Sequence, residues 1–292
     1  MAAGETLNPS VPVSRFVEVN GIKLHYADWD GADNGRTIVL LHGGAAHCHW
    51  WDGVAPLITP LGNILAVDLR GHGESGWAHP PVYGPPAYVD DLRVFLGALK
   101  RPAVLIGHSM GGVVAQWVAA GYANLIEALV IVDAPAGAPP LWRRLMWQWR
   151  RRARGGERPE LASAEDIVRR FRLLPPGTYL TADALRRLAL QGAEQLPNGK
   201  WAYRFDPETR SWRRLGSGMG RPKLRAIAAP TLILRGARST LITARRARSM
   251  RRRIRGSILR EIPHAYHHVP LDNPGDTAAA ITDFIGVLPP RP

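Results

Sequence analysis

The sequence predicts an α/β protein, a mostly parallel, doubly wound sheet with an inserted helical cap. Three observations predict it. Short apolar runs without polar alternation recur along the chain, as strands buried on both faces of a parallel sheet require. Segments of helical period separate them. Motifs that carry chemistry follow directly after the runs, where open α/β sheets place their functional loops.

Residues 16–27 alternate in polarity around Asn20-Gly21, a two-residue turn signal between paired strands. The unbroken apolar runs then fall at 37–41, 64–67, 103–106, 129–132 and 231–234, with helical spacing over 88–99 and 111–122. Regularity ends near Pro135. From there to Arg225 the chain is rich in Trp, Arg and Pro-Gly loop signals such as Pro175-Pro176-Gly177, which reads as an insertion. The expected organisation is a core from 1–134 and 226–292 interrupted by a helical cap at 135–225.

Composition excludes several classes. With 46% hydrophobic and 21% charged residues among 292, the chain is that of an ordinary soluble globular protein and not a disordered one. A net charge of +14 raises the question of nucleic acid. The excess is arginine scattered over the cap and surface helices, with only Lys23, Lys100, Lys200 and Lys223 as lysines, so no binding stripe and no nucleic-acid partner are expected. The single cysteine, Cys48, excludes an intrachain disulfide and a multi-cysteine metal site. Residues 1–10 lack the basic and apolar regions of a signal peptide, and no run reaches membrane-spanning length, so a cytoplasmic location is expected.

Directly after the 103–106 run stands Gly107-His108-Ser109-Met110-Gly111-Gly112, followed by helical spacing. This is G-x-S-x-G in the strand, sharp turn and helix context it requires. The turn holds Ser109 at the top of the sheet, and the glycines clear space that a Cβ would occupy. The helix N-terminus favours negative charge developing on a substrate oxygen, with the Met110 N–H as one donor.

Two further segments match in order. His42-Gly43-Gly44 follows the 37–41 run, and Asp68-Leu69-Arg70-Gly71-His72-Gly73-Glu74-Ser75 follows the next. With the elbow, these make the chain resemble the α/β-hydrolase superfamily, in the branch of small bacterial esterases, C–C hydrolases and cofactor-free haloperoxidases. The resemblance covers roughly 16–135 and 225–287 and leaves the cap unmatched.

That resemblance implies the α/β-hydrolase fold and a catalytic triad, with Ser109 as nucleophile and Gly44 N–H as the second oxyanion donor. Gly43, His108 and Trp50 are placed in the substrate pocket, beside His47, His49 and Trp51. His42 is expected to bond loop backbone and not to take part in chemistry. Histidines 42, 47 and 49 share no carboxylate spacing, so no metal and no cofactor are expected.

Near the C-terminus, residues 262–274 resemble the family's histidine loop. Aligning Leu271-Asp272-Asn273-Pro274 with its tail places the base at His267, with His268 the alternative one residue away. Relatives usually carry the acid after the strand at 231–234, as Gly-x-x-Asp or a variant, and here Thr240 falls in that slot. Either the triad is degraded or the acid comes from elsewhere. Asp133, which ends the 129–132 run, stands where some superfamily members supply it and keeps the order serine, acid, histidine. Its bland alternative is a cap on the approach to the insertion.

Residues 141–152 have helical apolar spacing that includes Trp142 and Met146, with arginines between them. Such a helix lies on a membrane surface or covers an active site. A lid suits its position in the fold, and Trp142 and Met146 then join the pocket. The expected activity is hydrolysis of a medium-sized apolar ester, a small-molecule substrate, by an acyl-enzyme route. A C–C bond, lactone, amide or peracid would need the same groups. From another class, a non-catalytic ligand-binding relative would bind without turnover. Oligomeric state is not legible.

Overall fold

A computed structural model of the chain describes residues 11–32, 36–136, 158–209 and 222–289. The first hairpin forms where Asn20-Gly21 predicts it. It joins β1 (Val13–Val19) to β2 (Ile22–Trp29), with Asn20 and Gly21 both at positive φ. Every apolar run becomes a strand: β3 (Thr37–Leu41), β4 (Asn63–Val67), β5 (Ala103–His108), β6 (Ile126–Val132) and, beyond the insertion, β9 (Thr231–Gly236). A final strand, β10 (Ile258–Ile262), completes an eight-stranded sheet of order β1-β2-β4-β3-β5-β6-β9-β10. Within this sheet the β1–β2 and β2–β4 pairings are antiparallel and the others parallel.

Alternate residues of each central strand serve opposite layers, which is why the runs are apolar throughout. Val39, Leu41, Leu105, Leu129 and Ile131 enter the layer covered by α1 (Pro85–Gly97) and α2 (Met110–Gly121). Ile38, Leu40, Ile106, Val130 and Val132 enter the layer that Ile281 and Phe284 close from the C-terminal helix. Arg70 forms a buried two-pronged ion pair with Asp91 of α1, which pins the loop after β4 to that helix.

The insertion contains more than helices. Between β6 and β9 the described residues hold α3 (Ala164–Arg170), α4 (Ala182–Gln191) and a short antiparallel pair, β7 (Ala193–Gln195) with β8 (Trp201–Tyr203). Ser163 and Thr181 cap the two helices through their side-chain oxygens. Leu173 and Leu188 of the insertion pack with Trp50 and Ala46 of the core, forming an apolar roof over the loop after β3. Trp142 and Met146 lie outside the described residues. Among the described residues, no helix is long and apolar enough to cross a membrane.

Candidate active site

Ser109 links the end of β5 to α2 with φ 51° and ψ −112°, a conformation that costs a non-glycine residue about 1–3 kcal/mol and persists only where its surroundings enforce it. They do so on both sides. The Ser109 N–H donates to Val132 O at 3.0 Å, and the Gly111 N–H donates to His42 O at 3.0 Å. A Cβ at Gly107 would stand 2.5 Å from Gly111 O, and one at Gly111 would stand 2.6 Å from His42 O, so the tight crossing of strand, helix and β3 loop admits only glycine. Ser109 remains partly exposed, whereas its neighbours His108 and Met110 are buried.

The loop after β10 brings His267 over the elbow. Its Nε2 lies 2.9 Å from Ser109 Oγ and its Nδ1 lies 2.7 Å from Asp133 Oδ2. His268, the neighbouring alternative, is turned away and donates from Nε2 to Pro175 O at 3.0 Å. Asp133 sits just past β6 at φ 43°, held by its own N–H to Leu234 O. Its side chain is buried and accepts from His267 Nδ1, from Ser239 Oγ at 2.6 Å and from the Gly236 N–H at 3.2 Å. Burial pushes the Asp133 carboxyl up to about 7, against the pull of the Ser239 hydroxyl, the Gly236 amide and the Arg235 guanidinium.

The loop after β9 corrects one reading of the sequence. Thr240, assigned to the acidic slot, is exposed, while Ser239 is buried and faces Asp133. The third residue after Gly236 is therefore the inward one, and the assignment was one residue late. Ser239 Oγ also accepts from the Ile242 N–H at 3.2 Å, which leaves its own proton for Asp133. Arg235 staples this loop through Ile242 O and Ser239 O. The Gly-x-x-Asp spacing counted from Gly236 falls on Ser239, so the signal was present and the reading that chose Thr240 lay one residue too far along.

On the other side of Ser109, the loop after β3 packs against the start of α2. A Cβ at Gly44 would lie 3.7 Å from Met110 Sδ, and one at Gly43 would lie 3.4 Å from Ser109 Cβ. Among the described residues, neither the Gly44 nor the Met110 N–H is paired with a backbone acceptor. His42 is locked beneath: Nδ1 lies 2.6 Å from Gly43 O, and Nε2 accepts from the Leu69 N–H at 3.0 Å. Burial lowers its pKa to about 4, so the ring stays neutral.

Trp50 stacks on His108, with ring centroids 6.0 Å apart, and meets His268 edge-on at 5.4 Å. Trp51 instead lies fully buried in the layer below the sheet, and His49 faces Asp52 near the surface, so neither lines the site. The single 3-10 turn Cys48–Trp51 sends successive side chains in different directions, which sequence proximity alone conceals.

The sequence model of the alpha/beta hydrolase family matches residues 38–280. The chain is 30% identical over 249 residues to the esterase Rv0045c of Mycobacterium tuberculosis, covering 83% of this chain and 79% of that protein. It is 29% identical over 274 residues to the sn-1-specific diacylglycerol lipase ABHD11 of Danio rerio, covering 90% and 83%. The crystal structure of E-2-(acetamidomethylene)succinate hydrolase is similar in fold, with a TM-score of 0.78 at 24% identity over 94% of this chain and all of that one.

Proposed function

The chain belongs to the alpha/beta hydrolase family and is a hydrolase, and from that premise we propose that it is a serine hydrolase, a carboxylesterase acting on medium-sized apolar esters through an acyl-enzyme. The observation that carries the proposal is the chain of short contacts from Ser109 Oγ through His267 to Asp133. Esterase and lipase relatives support an ester as substrate. The roof of Leu173 and Leu188 against Trp50 and Ala46 supports an apolar one.

In this reading Ser109 Oγ attacks the ester carbonyl while its proton passes to His267 Nε2. Asp133, paired with Nδ1, fixes the ring's tautomer and stabilises the imidazolium that forms. The carbonyl oxygen, now negative, takes the Gly44 and Met110 N–H groups, each such donor lowering the barrier by about 3 kcal/mol. His267 returns the proton to the departing alkoxide. Water then repeats the sequence to release the acid.

Stopped-flow hydrolysis of p-nitrophenyl butyrate should show a burst of p-nitrophenol equal to the enzyme present, and a fluorophosphonate should label one residue. Equal labelling of the Ser109→Ala variant, or the absence of both burst and turnover, would overturn the reading.

A pH profile tests the acid's surroundings. The working form has Asp133 ionised, so activity falls as pH drops through the carboxyl's pKa, about 7. Ser239→Ala removes a donor that favours the ionised form, which raises that pKa. The acid limb of kcat/KM should therefore move to higher pH, with a larger loss at pH 6 than at pH 8.5. A uniform loss at every pH would show Ser239 to be a packing residue only.

A further inference from the structure

The insertion meets the loop that carries His267 along residues 175–179, and Asp272 joins the two. Its Oδ1 accepts the Thr178 hydroxyl at 2.5 Å and the Tyr179 N–H at 2.9 Å, while its Oδ2 accepts the Tyr266 N–H at 2.8 Å. One carboxylate thus holds the insertion with one oxygen and the residue before His267 with the other.

The surrounding contacts turn this tie into a constraint on the ring. Asp272 is itself anchored, its N–H donating to His268 O at 2.9 Å, and Asn273 closes the neck of the loop by donating from Nδ2 to Pro263 O at 2.8 Å. The Tyr266 carbonyl lies against the end of β9, where a Cβ on Gly236 would stand 1.9 Å from its oxygen. With its N–H tied to Asp272 and its C=O packed on Gly236, Tyr266 sets the direction in which the chain enters His267. From the insertion, Tyr179 meets the Tyr266 ring with centroids 5.3 Å apart, and Pro175 O takes the His268 Nε2 proton.

We propose that Asp272 and Thr178 are positioning residues for the base: through them the insertion sets the aim of His267 at Ser109, so the segment that roofs the site also controls its chemistry. The proposal rests on the triad reading above. A carboxylate suits the position because the Thr178 hydroxyl and the Tyr179 and Tyr266 amides converge on it, and only a group with two accepting oxygens and no proton meets them all. Misplacing a reacting group by about 1 Å lowers turnover about a hundredfold, so a small slip of the ring is costly.

The insertion is tied to the core at another place, which supplies a control. Tyr83 donates to Asp206 Oδ2 at 2.6 Å, without contact with the histidine loop.

The test compares Thr178→Val, Asp272→Asn, their combination and Tyr83→Phe with the wild type. Thr178→Val keeps the shape and removes the hydroxyl; Asp272→Asn keeps the size and leaves one accepting oxygen for two sides. With p-nitrophenyl butyrate, kcat should fall about tenfold in Thr178→Val and about tenfold to a hundredfold in Asp272→Asn, with KM within about twofold of the wild type. The double variant should be no slower than Asp272→Asn, because both substitutions cut the same link. Tyr83→Phe should melt lower and keep kcat within about twofold. The proton between His267 Nδ1 and Asp133, read as a far-downfield 1H resonance, should move in Thr178→Val and Asp272→Asn and stay in place in Tyr83→Phe. An unmoved resonance in both tie variants, multiplied losses in the double variant, or an equal loss of kcat in Tyr83→Phe overturns the proposal. In a chain without ester turnover, a resonance that moves with Thr178→Val and not with Tyr83→Phe would uphold the positioning and sink the proposed activity instead.

Discussion

Asp133→Asn is expected to lower kcat about ten-thousandfold, by analogy of geometry with the loss of the acid in a well-characterised triad. Asparagine is the same size and fills the same space between Ser239, Gly236 and His267. Its amide would offer a proton to Nδ1, which favours the tautomer protonated on Nε2. That nitrogen then cannot accept the Ser109 proton, and no negative charge faces the imidazolium. Folding should survive. The folded carboxyl titrates near 7, above its unfolded value, so ionising it disfavours the folded state; that cost is full above pH 7 and gone below the unfolded pKa. Asp133→Asn should accordingly melt no lower than the wild type at pH 8. A loss of turnover under tenfold, with folding intact, would remove Asp133 from the relay.

Ser109→Ala is expected to be costlier still, with kcat down about a millionfold, the scale found when a triad nucleophile is removed. The β5–α2 turn should be undisturbed, because alanine meets the same backbone requirement as serine and the hydroxyl holds no backbone group in place. The distinguishing measurement is the double variant. Residues that act as one unit lose their function together, so Ser109→Ala with Asp133→Asn should be no slower than Ser109→Ala alone. Multiplied losses would mean that Asp133 stabilises something other than the transition state reached through Ser109.

The elements most legible in the sequence were those whose chemistry is local. Runs such as Thr-Ile-Val-Leu-Leu at 37–41 stand out because both faces of a central strand are covered. The elbow stands out because its glycines answer contacts that any Cβ would make. β10 escaped notice for the opposite reason: as an edge strand reading Ile-Leu-Arg-Glu-Ile, it is largely uncovered and carries charge. β7 and β8 are three residues each, too short for a period to register.

Within the site, Ser109, His267 and Asp133 were legible from motifs and chain order, and the structure brings all three together. The tie from Asp272 to Thr178 and Tyr179 was not. It joins the histidine loop to an insertion that the motifs leave unmatched, a meeting that only the folded chain supplies.

The meeting of Ser239 with Asp133 bears on where the acid can stand. β6 and β9 are neighbours, and a hydroxyl from one strand end touches a carboxylate from the other beneath the same imidazole. The two side chains meet at 2.6 Å, so a carboxylate at either strand end lies one contact from the other. In this chain a pair of substitutions, Asp133→Ser with Ser239→Asp, would move the carboxylate from one strand end to the other across that contact.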